Sequence, residues 1–547
     1  MFPISRPRVR IMQQGSHEVN QLRNGTPGIS RRQLLKYSGL SAAAVAGGGL
    51  LSACGGDSEG DGDGGGGGGA QRSGGVLIHG ATGGGSKDTL DPHQPVTNPD
   101  IARVSNLFEP LLFWNSNYEL EPAVAESVEP SSDGTKWTVK IRPDVTFHNG
   151  KTVTAEDAWF SIQRVADPKK PLSAGGQLSQ IIDFQSTKVV DDTTLEIVLK
   201  TPYAILDTLL AEYTLGIIPT DFDLANPVGT GAFKYQSFEP GKSSTFTKYA
   251  DYWGDPAFVD ELQIQDFNDD NAKVNALQAG QIQTVDNLPY NLIETIKGAG
   301  GGVLISDTGA WVPFTMRVDV KPFSDNRVRQ AFRLIVDRQA MIDQALSGYG
   351  ILGNDLYAPF DEAYASDLPQ REQDIDQAKA LLKEAGQEGL QVELSTGDDI
   401  SSVAPAAANL FVEQAKLAGV DVKVTKKTPF YDDDYLSYPF AQDFWNTRNY
   451  IAQASVGTFP PELGGTYNET HWDNEEHRNL VNTAAATLDP EKRNELLHDA
   501  QEIEYNEGGL IIWGFRQQVD GYASNVQGLE PSKYLPLGSY KFNKVSV

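Results

Sequence analysis

The side chains that usually perform covalent or metal chemistry are sparse in this sequence, and their spacing argues against most such chemistry. There is one cysteine, Cys54, and there are seven histidines in 547 residues. His471 and His477 stand six apart, the wrong separation for two ligands on one helical face. The stretches PGKSS (240–244) and NGKT (149–152) end like a phosphate-cradling loop. Where that loop requires its first glycine, however, they carry Gln236 and Val145. No Gly-x-Ser-x-Gly turn presents a serine nucleophile. Asp57, Glu59, Asp61 and Gly62 superficially match a calcium loop, but the closing glutamate is missing and polyglycine follows. No catalytic residue, metal or cofactor is expected.

Cys54 has a setting that points to a different reaction. Seven cations (Arg6, Arg8, Arg10, Arg23, Arg31, Arg32, Lys36) face one acid, Glu18, and residues 37–53 then carry no charge. That uncharged stretch is rich in Ala and Gly, too short and too weakly apolar for a spanning helix of about 20 residues. It fits the middle of an export signal. SRRQLLK (30–36) resembles the twin-arginine export motif, with Arg31 and Arg32 as its pair. LSAC (51–54) resembles a lipobox, in which the thiol of Cys54 is acylated and becomes the first residue of the mature chain; the alternative is an ordinary buried cysteine after an apolar helix. An acyl chain with further lipid on the terminus gives stable membrane attachment. Residues 55–75 hold no apolar side chain large enough to pack, so they read as a flexible tether.

The formal net charge of −28 excludes a duplex-binding surface, and no nucleic acid is expected. The chain beyond residue 53 exceeds the roughly 250–300 residues of a single core, so at least two domains are expected. Eight tryptophans, twenty tyrosines and twenty-three phenylalanines supply its buried area. In TKWTVKIR (135–142), Trp137, Val139 and Ile141 alternate, as do Leu195, Ile197 and Leu199 in TLEIVLK (194–200). Both predict strands with one buried face. TAEDAWFSIQRVA (154–166) opens with Thr154 and Asp157 in a near capping-box pattern, then places Ala158, Ile162 and Val165 at helical spacing. DNAKVNALQAGQ, DNRVRQAFRLIVDRQAMIDQALSG, DIDQAKALLKEAG and DPEKRNELLHDAQEIEYNEGG each begin with Asp and end near Gly, as capped helices do. Strands interleaved with helices indicate an α/β chain.

Several stretches in order resemble the extracellular solute-binding proteins of family 5, the peptide, dipeptide and nickel class of ABC importers. They are residues 107–165, PVGTGAFKY (227–235), ALQAGQIQTVDN (276–287), PFSDNRVRQAF (322–332) and AKALLKEAG (378–386). The resemblance implies a two-lobe periplasmic-binding-protein clamshell of the large type II class, with mixed sheets and a hinge of crossing strands. Its expected organisation is an export signal over 1–53, a tether over 54–75, a first lobe over 76–308, a second over 309–512 and a return segment over 513–547. The crossings are expected near 306–318 and 511–519. Gly150, Gly229 and Gly231 are expected in turns of positive φ, and Asp325 with Arg327 at a helix start.

In peptide-binding members of the family, a Trp followed three residues later by an Asp anchors the ligand's amino terminus. The corresponding stretch here is AQDFWNTRNY (441–450), which keeps Trp445 but carries Arg448 in place of the acid, next to Asn449. A guanidinium suits a carboxylate or phosphate and repels an ammonium. The alternative is that Arg448 pairs with Asp443 or with the run Asp432, Asp433, Asp434. Trp311, Phe314 and Trp513 are candidates to wall the cleft, and each fits a core position equally well. Thr82 and Gly83, in the glycine-rich loop 81–93, are the remaining ligand candidates. YNETHWDNEEHRNLV (467–481) is expected as a loop and helix start shaping the second lobe. The function so implied is capture of a small peptide or related polar solute by a lipid-anchored monomer outside the cytoplasm, which hands it to a membrane permease with cytoplasmic ATPases. A lipid-anchored hydrolase or a surface adhesion or scaffold protein is the alternative, and neither explains five such stretches in order.

Overall fold

Period-two apolar patterning builds the sheets of this protein, and helices cover them. The computed structural model describes residues 71–172 and 175–547; Cys54 and the Arg31–Arg32 pair lie outside the described residues. Lys136–Ile141 and Thr194–Val198 pair antiparallel, with Ala125–Pro130 and Lys188–Asp191 completing a four-stranded sheet. Trp137, Val139, Ile141, Leu195 and Ile197 are all buried on one face, as their alternation predicts. Ala155–Val165 packs there through Ala158, Ile162 and Val165. Its N-terminus carries a complete capping box, in which Thr154 accepts from the Asp157 N–H and Asp157 accepts from the Thr154 N–H.

Two larger sheets organise the rest. Val76–Thr82 lies inside an eight-stranded sheet, parallel to Glu261–Phe267 on one side and Thr284–Val285 on the other. Gly302–Trp311 and Gly514–Tyr522 pair antiparallel along one edge of it. A five-stranded sheet contains Phe314–Met316, Gln391–Thr396, Asp421–Lys426, Phe440–Gln442 and Leu510–Ile511. The chain passes from the first of these sheets to the second between Trp311 and Phe314, and returns between Ile511 and Gly514. The two passages lie side by side, because Trp311 pairs with Phe515 while Phe314 pairs with Ile511. A third strand that the sequence did not suggest, Gly350–Leu352, pairs with Gly514–Tyr522 at the same junction.

Phenylalanines fill the core of the five-stranded sheet. Phe314, Phe323, Phe332, Phe411 and Phe440 form a contiguous ring cluster, with centroids 4.7 Å apart for Phe314–Phe411 and 5.0 Å for Phe323–Phe332. Such pairs add about 0.5–1.5 kcal/mol each to their area burial.

Two expectations from the sequence need correction. The stretch 325–348 forms two helices, Asn326–Ile335 and Arg338–Ala345, because Val336 and Asp337 are extended. Asp337 caps the second helix by accepting from the Ala340 N–H, and its own N–H donates to Gln414 Oε1. Asp325 caps the first as expected, accepting from the Arg327 N–H. Among the three glycines, only Gly150 has positive φ, at 84°. Gly229 and Gly231 are required by close approach, since a Cβ would sit 2.0 Å from the Leu107 carbonyl oxygen and 2.2 Å from that of Asn106.

A buried ionic knot ties the five-stranded sheet to its helices. Asp355 accepts two hydrogen bonds from Arg338 (2.8 and 2.7 Å) and one from Arg371 (2.5 Å), with Arg333 at 3.8 Å. Arg333 also donates to the carbonyls of Tyr505, Gly508 and Leu510, where the helix Pro490–Glu507 ends. A guanidinium there satisfies carbonyls that the helix itself leaves open.

Candidate functional site

A cavity of about 1150 Å³ opens beside the sheet junction, and separate parts of the chain wall it. The two crossing strands contribute Thr308 and Ala310, and Arg516, Gln517 and Gln518. The loop before the helix Tyr450–Gly457 contributes Phe444, Asn446, Thr447, Arg448 and Asn449. The helix Gly175–Ile181, the turn around Glu212 and Tyr213, and the late segment at Tyr534 complete the wall.

The loop 443–449 is fixed in several ways. Trp445 and Trp311 exchange backbone hydrogen bonds (2.9 and 3.0 Å), and their rings stack with centroids 6.1 Å apart. Trp311 stacks in turn on Tyr357, and Tyr357 on Tyr450, forming a column of four rings beneath the loop. The Thr447 hydroxyl accepts from the Gly309 N–H and donates to the Lys533 carbonyl. Asn449 caps the helix Tyr450–Gly457 by accepting from the Ala452 N–H, and its amide reaches Thr208 Oγ1 at 3.4 Å.

Arg448 is exposed and lines the cavity, its guanidinium 5.3 Å above the Trp445 ring. It makes no hydrogen bond or ion pair with any described residue. None of the acids proposed as its alternative partners forms an ion pair with it, and two of them are occupied otherwise. Asp443 accepts from the hydroxyls of Tyr431 (2.7 Å) and Tyr435 (2.6 Å), and Asp432 accepts from Tyr438 and from the Asp434 N–H. Arg448 and Asn449 thus face the space together, with Trp445, 7 % exposed, as the prop beneath them.

Trp311, Phe314 and Trp513 are 1 %, 0 % and 1 % exposed and are not among the residues lining the cavity; of the two positions open to each, the structure places them in the core. Strand alternation explains Trp311. Thr308 and Ala310 face the cavity, so Trp311 turns to the other face, onto Trp445 and Tyr357. Phe314 and Trp513 belong to the core of the five-stranded sheet. Thr82 and Gly83 do not line the cavity either. The Thr82 hydroxyl donates to Asp270 at 2.7 Å, and Gly83 has φ of 110° with open space around it. Their loop is pinned by Asp88, which accepts from the N–H groups of Gly85 and Gly241 and from Arg103. In the 467–481 segment, the Asn468 amide donates to the carbonyls of Thr458, Phe459 and Trp472, and Asn474 caps the helix Glu475–Ala486.

Arg516, Glu212, Tyr213 and Tyr534 also line the cavity and were missed in the sequence. Arg516 lies 5.7 Å over the Phe444 ring, and its Nε has no hydrogen-bond partner among the described residues. Glu212 accepts from the Tyr534 hydroxyl at 3.0 Å. Burial pushes its carboxyl up, and the charge of Arg448 together with that hydrogen bond opposes the rise. A lone acid inside LLAEYTLGIIP was the available signal, because a charge in an apolar run needs a reason. Arg516 stands three residues after Trp513, where the aromatic drew attention instead.

No group of three or more His, Cys, Asp or Glu placed to hold a metal occurs among the described residues, and none of their helices is long and apolar enough to cross a membrane. The site therefore offers two guanidinium groups, one carboxyl and many amide and hydroxyl groups over aromatic walls, which is a set for holding a polar solute.

Comparison with known proteins agrees. The chain is 25 % identical over 492 residues to the dipeptide-binding protein DppE of Bacillus subtilis, covering 82 % of this chain and 89 % of that one. It is 25 % identical over 470 residues to the glutathione-binding protein GsiB of Shigella flexneri, covering 81 % and 90 %. The solved structure of the ABC transporter substrate-binding protein CtaP of Listeria monocytogenes superposes with a TM-score of 0.77 at 21 % identity, covering 87 % of this chain and all of that one. The fold is accordingly the two-lobe, mixed-sheet clamshell of the type II periplasmic binding proteins. Residues 119–468 match the family described as "Bacterial extracellular solute-binding proteins, family 5 Middle", and the chain belongs to that family.

Proposed function

We propose that this protein is the solute-capturing component of an ABC importer, and that it binds a small peptide or related polar solute without altering it. The reading rests on one observation. The 1150 Å³ cavity is lined by both crossing strands and by segments that precede and follow them in the chain, so a solute that fills it meets several separate parts of the chain at once. Such contacts favour the closed clamshell over the open one, and a membrane permease can distinguish the two. Dipeptide- and glutathione-binding relatives support a peptide-like solute. Arg448, unpartnered and propped on Trp445, supports an anionic group at that end of it. The first lobe over 76–308, the second over 309–512 and the return over 513–547 remain our assignment of the two walls. Export through Arg31 and Arg32 and acylation of Cys54 place the protein outside the cytoplasm, tethered to the membrane as a monomer.

Thermal denaturation with a panel of peptides, amino acids and organic acids tests the reading. A true solute at a hundred times its Kd adds about 2.7 kcal/mol of stability and is recovered unchanged. A ligand consumed during incubation overturns the proposal and points to a hydrolase. Mass spectrometry of whatever copurifies with the protein narrows the panel.

A further inference from the structure

Among the residues that wall the cavity, one alone is an acid. Glu212 follows the short helix Leu206–Leu210 and precedes the turn Tyr213–Leu215. Its Oε2 accepts from Tyr534, while Oε1 accepts no hydrogen bond from any described residue. The rings of Tyr213 and Tyr534, both lining the cavity, stand 6.3 Å apart at 59° beside it. Tyr118 lies 6.1 Å behind Tyr534 and is itself stacked on Trp114 at 4.2 Å. A carboxylate with an open oxygen between aromatic faces attracts an ammonium in two ways, by charge-assisted hydrogen bonding and by the ring quadrupoles.

The two cations of the cavity come from other elements, Arg448 from the loop before Tyr450–Gly457 and Arg516 from the crossing strand Gly514–Tyr522. Each lies over its own aromatic ring, and neither is bonded to an acid of the protein.

We propose that the corner formed by Glu212, Tyr213 and Tyr534 receives the amino group of a zwitterionic solute, while Arg448 and Arg516 hold its carboxylate. The proposal rests on the solute-binding reading and adds polarity to it. The acid and the two cations come from three separate segments of the chain. Glu212 and Arg448 feel each other's charge without a hydrogen bond between them, and a zwitterion offers each a charged partner in direct contact.

The test uses the tightest binder from a set of di- and tripeptides with uncharged side chains, together with its N-acetyl and C-amide derivatives. Calorimetric titrations are made on the wild type, Glu212→Gln and Arg448→Gln. N-acetylation is expected to weaken binding to the wild type by at least tenfold and to Glu212→Gln by less than twofold. C-amidation is expected to weaken binding to the wild type by at least tenfold and to Arg448→Gln by less, with Arg516 keeping part of the contact. The wild-type arm needs no variant to fold, and Gln at 212 still accepts from Tyr534. An N-acetyl penalty that is absent in the wild type, or undiminished in Glu212→Gln, overturns this proposal alone. If no peptide of the set binds the wild type, the peptide reading falls with it.

Discussion

Arg448 holds its guanidinium 5.3 Å above the indole of Trp445, and Trp445 in turn exchanges two backbone hydrogen bonds with Trp311. The cation is therefore aimed by an aromatic column rather than by an acid. No described residue bonds Arg448, so Arg448→Ala breaks no hydrogen bond or ion pair, and it removes only the ring contact with Trp445 and the charge that offsets the burial of Glu212. Its melting temperature should fall only slightly, while affinity for a carboxylate-bearing solute falls more than tenfold, about 1.5–3 kcal/mol. Equal affinity by calorimetry removes Arg448 from the binding site.

Gly231 packs against the backbone of the helix Asn98–Leu107, and a methyl group there meets the Asn106 carbonyl oxygen at 2.2 Å. Gly231→Ala is expected to cost about 1–3 kcal/mol, since backbone has to move. The urea midpoint should fall at constant slope. Gly150→Ala, where nothing lies within 4 Å, should cost only the strain of its positive φ, about 1–2 kcal/mol.

Glu504 is 1 % exposed, and burial pushes its carboxyl up to about 7 against the hydroxyls of Tyr450 and Tyr357. An unfolded glutamate titrates near about 4.3. Between those values the folded protein keeps a proton that the unfolded chain has released. This contribution to stability is complete below about pH 4 and is lost as pH rises through about 7. Glu504→Gln keeps an acceptor for Tyr450 and cannot titrate. The drop in urea midpoint from pH 5 to pH 8 should be smaller in the variant than in the wild type, and an identical drop contradicts the assignment.

The proposed acylation of Cys54 predicts that Cys54→Ser moves the protein from the membrane fraction to the soluble extracytoplasmic fraction, with its solute affinity intact. Retention of Cys54→Ser in washed membranes would sink the lipid anchor.

Much of the fold was legible because it is written in local patterns. Period-two alternation marked Lys136–Ile141 and Thr194–Val198, and the Thr154–Asp157 box marked the start of Ala155–Val165. The pattern failed at 325–348, where Asp337 reads as one more polar helical residue until its side chain is seen capping Ala340. It failed also at Gly229 and Gly231, which look like turn glycines until Asn106 and Leu107 are seen against them.

The site divided in the same way. Arg448 was legible because it breaks a short motif, and Asn449 because it adjoins it. Whether Trp311, Phe314 and Trp513 faced cavity or core depended on which side of a strand each side chain took and on what lay there, so large aromatics near the hinge read as candidates for both.

The sequence by itself determined the family, the α/β character, the strands and capped helices, and an arginine three residues after Trp445, because each depends on residues close together in the chain. Only the tertiary structure decided that Arg448 lacks an acid partner and that Glu212, Tyr534 and Arg516 share its cavity. Those residues lie from tens to hundreds of positions apart. What joins them is the pairing of two crossing strands and the packing beside them, and such long-range contacts leave no periodic trace in a single chain.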